Sequence, residues 1–151
     1  MNKLIFLVAA GLGFFIWTKY TESEQRRVAF EYQRSIASKE DNCTGKKFCV
    51  VVYVAPWCPA CKSMAPQFRQ ALKKARSIPD YGVKMYVGAG KTEENEREAI
   101  DLGDGAYPDQ DKSMMKKLNV QQFPSFFVLD KEQTVILSGN EAFQWMVEKI
   151  R

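Results

Sequence analysis

The sequence predicts one α/β domain built in layers, and three observations carry that expectation. The chain has 151 residues, enough for one sizeable hydrophobic core and too few for two. Apolar residues make up 46% and charged residues 26%, which excludes a disordered chain and one embedded wholly in a bilayer. Beyond the N-terminal segments, short β-branched apolar runs alternate with stretches of helical period, without internal repeats or low-complexity tracts.

The chain opens with LIFLVAAGLGFFIW at residues 4–17, an unbroken apolar run between Lys3 and Lys19. It falls short of the roughly 20 residues that span a bilayer comfortably. Local thinning accommodates a short span, and Trp17 and Tyr20 suit the interfacial belt, so an uncleaved anchor is the favoured reading. A cleaved signal peptide is the alternative, although no A-x-A site stands between residues 17 and 34. A buried core helix fits least, because no polar face interrupts the run. Basic residues flank both ends, so the positive-inside rule leaves orientation open; default insertion of a signal anchor places the remainder outside the cytoplasm. No cysteine follows closely enough for a lipoprotein anchor.

Residues 21–41 are charged, lack Gly and Pro, and carry Val28, Tyr32 and Ile36 at helical spacing, which predicts an amphipathic helix. The loop DNCTGKK follows, with Cys43. CVVVYVA at residues 49–55 is apolar on both faces and suits a central strand covered on both sides. After the turn PWCPAC, a helix is expected over residues 58–75, with Met64, Phe68 and Leu72 on its buried face and Pro66 kinking it. KMYVG at residues 84–88 is the second strand. TEENEREAI is helical, with Thr92 as its N-cap and Glu93 and Glu94 in the first turn. GDGAYPDQD reads as loop, and residues 111–118 as a short helix. Strands follow at residues 125–129 and 134–137, around the turn DKEQ. Asn140 caps the last helix, whose buried face is Phe143, Met146, Val147 and Ile150. The predicted organisation is thus 1–20 anchor or signal peptide, 21–44 amphipathic linker helix and loop, and 45–151 folded domain.

Composition narrows the chemistry. Four cysteines are too few for a disulfide-framework miniprotein. The net charge of +4, from 22 basic and 18 acidic residues, is scattered and leaves no footprint for nucleic acid. The chain has no histidine, which removes Ser-His-Asp and Cys-His catalysis and histidine-ligated metal sites. Chemistry here must run on cysteine or carboxylate.

Cys58 and Cys61 stand in a C-x-x-C spacing where a buried strand gives way to a helix. The strand end is expected to present Cys58 to solvent, and the helix N-terminus offers unpaired N–H groups and a positive dipole that favour its thiolate. Cys61, one turn on, is placed to attack a mixed disulfide. Pro59 fits the first helical position, where its absent N–H costs little, and Trp57 offers an aromatic shoulder. Half of a zinc site and purely structural cysteines are the competing readings. The spacing of Cys43, Cys49, Cys58 and Cys61 is poor for zinc, so no metal is expected.

The stretch VVYVAPWCPACKSMAP resembles the thioredoxin superfamily, down to Lys62 after the second cysteine and Pro66 beyond it. A distant stretch, VQQFPSFFVLD, matches too: Phe123-Pro124 stands at the family's cis-proline, which in relatives faces the CxxC and shapes the substrate groove. The sequence from Pro108 onward is similar to membrane-anchored thioredoxin-like proteins of bacteria, which work outside the cytoplasm, many as thiol reductants in cytochrome c maturation. The resemblance covers roughly residues 45–150. It implies a thioredoxin-like fold, a central mixed sheet flanked by helices, with Cys58 as nucleophile and Cys61 as resolving cysteine. Trp57, Pro59, Phe123 and Pro124 would line the groove. No cofactor is implied, since thiol–disulfide exchange carries its electrons in sulfur.

The implied partners are client proteins bearing disulfides or thiols, a membrane or soluble thiol electron donor, and the membrane itself through the N-terminal helix. The implied location is the bacterial inner membrane, with the soluble domain facing the periplasm or cell exterior. Reduction of clients is favoured over oxidation or isomerisation, because the Pro-Ala dipeptide lacks the histidine of strongly oxidising relatives. A non-catalytic binding or holdase module is the rival from another class. Two departures stand out: Val52 occupies the place of the family's buried acid, and the residue before Pro124 is a bulky Phe.

Cys43 and Cys49 lie beside the first strand, and in an oxidising compartment such a pair favours a structural disulfide. A second redox pair relaying electrons to Cys58 and Cys61, or free thiols, are the alternatives. Two motifs are decoys. VGAGKT has Met85 in place of the first glycine of a phosphate loop, and Asn42-Cys43-Thr44 is a glycosylation sequon that matters only in a eukaryotic secretory pathway.

Overall fold

The computed structural model describes residues 43–103 and 105–150. The expected anchor and amphipathic linker helix fall outside the described residues. Among those described, no helix is long and apolar enough to cross a membrane.

Nine elements follow in order: β1 (Phe48–Val54), α1 (Pro59–Arg76), β2 (Tyr81–Val87), α2 (Thr92–Leu102), β3 (Ala106–Pro108), α3 (Ser113–Lys117), β4 (Ser125–Leu129), β5 (Val135–Ser138) and α4 (Gly139–Lys149). They build a five-stranded mixed sheet in the order β3-β2-β1-β4-β5. The central strand is β1, parallel to β2 with Phe48 opposite Tyr81 and Val54 opposite Val87. On its other side it runs antiparallel to β4, with Cys49 opposite Leu129 and Tyr53 opposite Ser125.

This position explains why β1 is apolar throughout. Successive strand side chains point to opposite faces. Val50, Val52 and Val54 join a core formed with α1, α2 and α4, where Phe68, Leu72, Ala99 and Met146 are buried. Cys49, Val51 and Tyr53 join the opposite core, with Phe127, Leu129 and the α3 end at Leu118 and Val120. From Cys49 to Val54, neither face of β1 meets water.

Several expectations shift. The loop stretch GDGAYPDQD contains β3, which pairs with β2 from Met85–Ala106 to Val87–Pro108. The second strand starts earlier than predicted, at Tyr81, because β1 offers pairing partners along its whole length. At the start of α2 the cap position belongs to Lys91, not Thr92; the Glu94 carboxylate reaches back to accept the Lys91 N–H at 3.0 Å. Ser138, not Asn140, holds the cap position of α4. In that helix Ala142 and Met146 are buried, whereas Val147 is exposed. The rest of the expected face holds, with Phe143 packed against the core and Ile150 buried; Trp145 also meets Phe48, with ring centroids 5.3 Å apart. The helix expected around Pro66 is present as α1, with that proline in its interior.

Cys43 and Cys49 are bonded to each other, with Cα atoms 5.2 Å apart, and both are buried in the second core. Closing a loop this short stabilises the fold by about 2 kcal/mol in the chain-entropy account. The double variant Cys43→Ser/Cys49→Ser is therefore expected to unfold at lower urea by that margin, with a cooperative transition retained. A variant as stable as wild type would show that the bond adds nothing to the fold.

A candidate active site at the end of the central strand

Chain direction makes the site. β1 delivers the chain to one edge of the sheet, the Ala55-Pro56-Trp57 turn reverses it, and α1 begins at once. The Cys58 N–H donates to the Ala55 carbonyl at 3.1 Å, closing the turn. Cys58 then occupies the N-cap of α1 in an extended conformation, with Pro59 as the first helical residue. Its sulfur accepts the Cys61 backbone N–H at 3.1 Å. A serine or aspartate oxygen usually does this at a cap; here a sulfur sits in the donor field of the helix N-terminus, which favours negative charge.

Cys58 and Cys61 are both free thiols. Each is only 4% exposed. The expectation that Cys58 projects into solvent is corrected: its sulfur belongs to the first core, and Phe123 from the distant proline loop packs against that core. Burial pushes the Cys61 thiol up to about 12, and its hydrogen bond to Cys58 adds to the shift. The two sulfurs are unequally placed: Cys58 caps the helix and accepts the Cys61 N–H, whereas burial holds the proton on Cys61.

Trp57 is 57% exposed. Its indole N–H donates to the Ala89 carbonyl at 2.8 Å, and its ring meets Phe123 edge-on with centroids 5.4 Å apart. Phe123 leans in turn on Tyr53 at 6.0 Å, and the Phe123-Pro124 peptide is cis. The structure so gathers Trp57, Cys58, Cys61 and Phe123, with Pro59 exposed at the helix start and Pro124 half-buried beside Phe123. Val52 lies in the first core, fully buried, and brings no carboxylate to Cys61.

Sequence reasoning missed a residue that supports this site. Asp109, buried at 4% exposure, accepts the Tyr53 hydroxyl at 2.6 Å and the backbone N–H groups of Met114 and Met115 at 3.1 and 2.8 Å. The Ser113 hydroxyl donates to it at 3.3 Å. Burial foremost, then the bond to Asp109, pushes the Tyr53 phenol well above its usual range. The available signal was an aspartate one turn ahead of the SMM run, a helix-start pattern. Asp111 shares that pattern and takes the Ser113 N–H at 3.0 Å, which pulls its carboxyl below the ordinary range.

The phosphate-loop decoy acquires a packing explanation. A Cβ on Gly88 would collide with the Tyr53 hydroxyl. The Gly90 N–H donates to the Asn95 side chain at 3.1 Å, and a Cβ there would crowd Pro56 and Asn95. Both glycines let backbone pass close to the site's supporting side chains.

The disulfide stands apart from this centre. Cys49 sits at the beginning of β1 and Cys58 beyond its end, about 17 Å away along the strand at 3.3 Å per residue. The two pairs therefore sit toward opposite ends of the central strand. Among the described residues, no cluster of three or more His, Cys, Asp or Glu is placed to hold a metal.

The family model of a thioredoxin-like domain matches residues 37–149. The chain belongs to the thioredoxin-like domain family. Solved thioredoxin-like structures share its fold. DsbF of Mycobacterium tuberculosis, in mixed oxidised and reduced forms, is 22% identical over 72% of this chain and 83% of that one, with a TM-score of 0.54. A thiol-disulfide oxidoreductase from Bacteroides fragilis is 11% identical, covering 74% of this chain and 86% of that one, at a TM-score of 0.60. The exposed lipoprotein thioredoxin Etrx1 of Streptococcus pneumoniae is 18% identical, over 75% and 89%, at 0.54. At these identities the likeness establishes the shared fold. None of the curated protein sequences matches the chain.

Proposed function

We propose that the protein is a thiol–disulfide oxidoreductase that reduces disulfides of client proteins, tethered to the bacterial inner membrane by residues 1–20 with its domain outside the cytoplasm. The observation that carries the reading is the inequality of the two sulfurs. Cys58 caps a helix N-terminus and receives the Cys61 N–H, whereas Cys61 is a buried thiol that keeps its proton. The first suits a nucleophile and the second a resolving group.

The cycle balances on sulfur alone. The Cys58 thiolate attacks one sulfur of the client disulfide, forming a mixed disulfide and releasing one client thiolate. Cys61 loses its proton and attacks the Cys58 sulfur; the Cys58–Cys61 bond forms as the Cys58–client bond breaks. The client gains two electrons and the enzyme pair loses two. A membrane or soluble thiol donor then restores the dithiol. Trp57, Pro59, Phe123 and Pro124 form the docking surface beside the sulfurs. The Cys43–Cys49 bond has a structural part. A disulfide at this place supports an oxidising compartment, where such bonds survive.

Equilibration of the full-length protein against dithiothreitol or glutathione tests the direction. A reduction potential near or below about −270 mV is expected for a reductant. A value approaching about −120 mV would reverse the direction of electron flow.

A further inference from the structure

The cycle above leaves one proton without an acceptor. Cys61 must become a thiolate to resolve the mixed disulfide, yet burial holds its proton. The buried position where relatives carry an acid is Val52. Cys61 does, however, line a half-open cavity of about 290 Å³ between α1 and α2, and Glu98 of α2 lines the same cavity. The volume holds several waters at about 30 Å³ each. Val54 and Phe68 supply apolar wall, and Lys62 and Arg69 of α1 are its cationic residues. Arg69 also donates to the Asp101 backbone carbonyl at 3.5 Å, tying α1 to α2 beside the cavity.

We propose that Glu98 accepts, through water in this cavity, the proton that Cys61 sheds when it attacks the Cys58–client disulfide. The inference rests on the oxidoreductase reading and adds the missing base. The Cys61 proton passes to a cavity water, which gives a proton to the Glu98 carboxylate. The Cys61 electron pair enters the new Cys58–Cys61 bond, and the departing client sulfur leaves with the pair of the bond that breaks. Glu98 then returns its proton to the client thiolate or to solvent, and no other reactant is consumed. The charged and titratable groups facing this path are Glu98 from α2, Lys62 and Arg69 from α1, and the Cys58 sulfur at the helix cap; β1 contributes only Val54.

The reduced full-length protein, mixed rapidly with the aromatic disulfide 5,5′-dithiobis(2-nitrobenzoate), releases one coloured thiol on Cys58 attack and a second on resolution by Cys61. In Glu98→Gln the second release is expected to slow about tenfold or more at pH 7, with the first release unchanged. Wild-type resolution should be nearly flat from pH 6 to 8. In Glu98→Gln it should rise about tenfold per pH unit, tracking the thiolate fraction of a group titrating near 12. Glu98→Asp should recover most of the rate, and Glu93→Gln, exposed on the same helix, should match wild type. A second release in Glu98→Gln with wild-type rate and slope overturns the proposal while leaving the cysteine roles intact. If wild-type protein fails to give the first release, the oxidoreductase reading itself falls, and the role of Glu98 with it.

Discussion

Replacing Cys58 by serine is expected to abolish reduction of insulin, lowering kcat/KM by about 10⁴-fold or more. The hydroxyl still fits the cap and accepts the Cys61 N–H, so the fold should persist and client binding should largely survive. What is lost is the sulfur that attacks. Cys61→Ser separates the two roles: the first attack still proceeds, and a mixed disulfide accumulates that mass spectrometry detects and dithiothreitol releases. This pair of results decides between a catalyst and a binding module that has kept the fold. A holdase would protect clients equally with or without Cys58. Insulin reduction by Cys58→Ser at near wild-type rate would remove Cys58 from the nucleophile's place. Attack would then have to begin at Cys61, whose buried thiol keeps its proton across the neutral range.

How far the sequence reveals this arrangement depends on whether the deciding contact is local. β1 is legible because a strand covered on both faces must be apolar at every position, and CVVVYVA has that pattern. The Cys58 cap is legible for the same reason: C-x-x-C at a strand-to-helix turn specifies its own geometry within four residues. β3 is not legible, since its three residues hold position by backbone pairing to β2 and carry no apolar alternation of their own. The burial of Cys58 is equally invisible, because Phe123 reaches its core from another part of the chain. Glu98 reads as one more solvated charge in TEENEREAI. Only the approach of α2 to α1 places it on the cavity that Cys61 also lines.

Asp109 is the position outside the cysteines where a single change should cost most. Its carboxylate accepts from the Tyr53 hydroxyl, the Ser113 hydroxyl and two backbone N–H groups at the start of α3. Besides Asp109, only the Asp111 carboxylate on the Ser113 N–H is seen to hold that end: the cap position of α3 is Lys112 in a left-handed conformation, with no side-chain cap bond. Asp109→Ala leaves the Tyr53 phenol buried without its acceptor and frees the first turn of α3. Each buried donor so stranded costs about 1–3 kcal/mol. With partial relief from water, the expected loss is about 3 kcal/mol, read as a lower urea midpoint at an unchanged slope. Asp109→Asn keeps one acceptor oxygen and should lose about half as much. The damage should also reach the Cys58–Cys61 site. Tyr53 carries the ring on which Phe123 leans, and Phe123 meets the Trp57 edge beside Cys58. Trp57 is the exposed member of that chain of rings, so loss of the support should appear in KM for a protein client before it appears in the reaction of Cys58 with a small disulfide. A variant within about 0.5 kcal/mol of wild type would show that water replaces the carboxylate at all four donors. An unchanged KM in a destabilised variant would confine Asp109 to the fold.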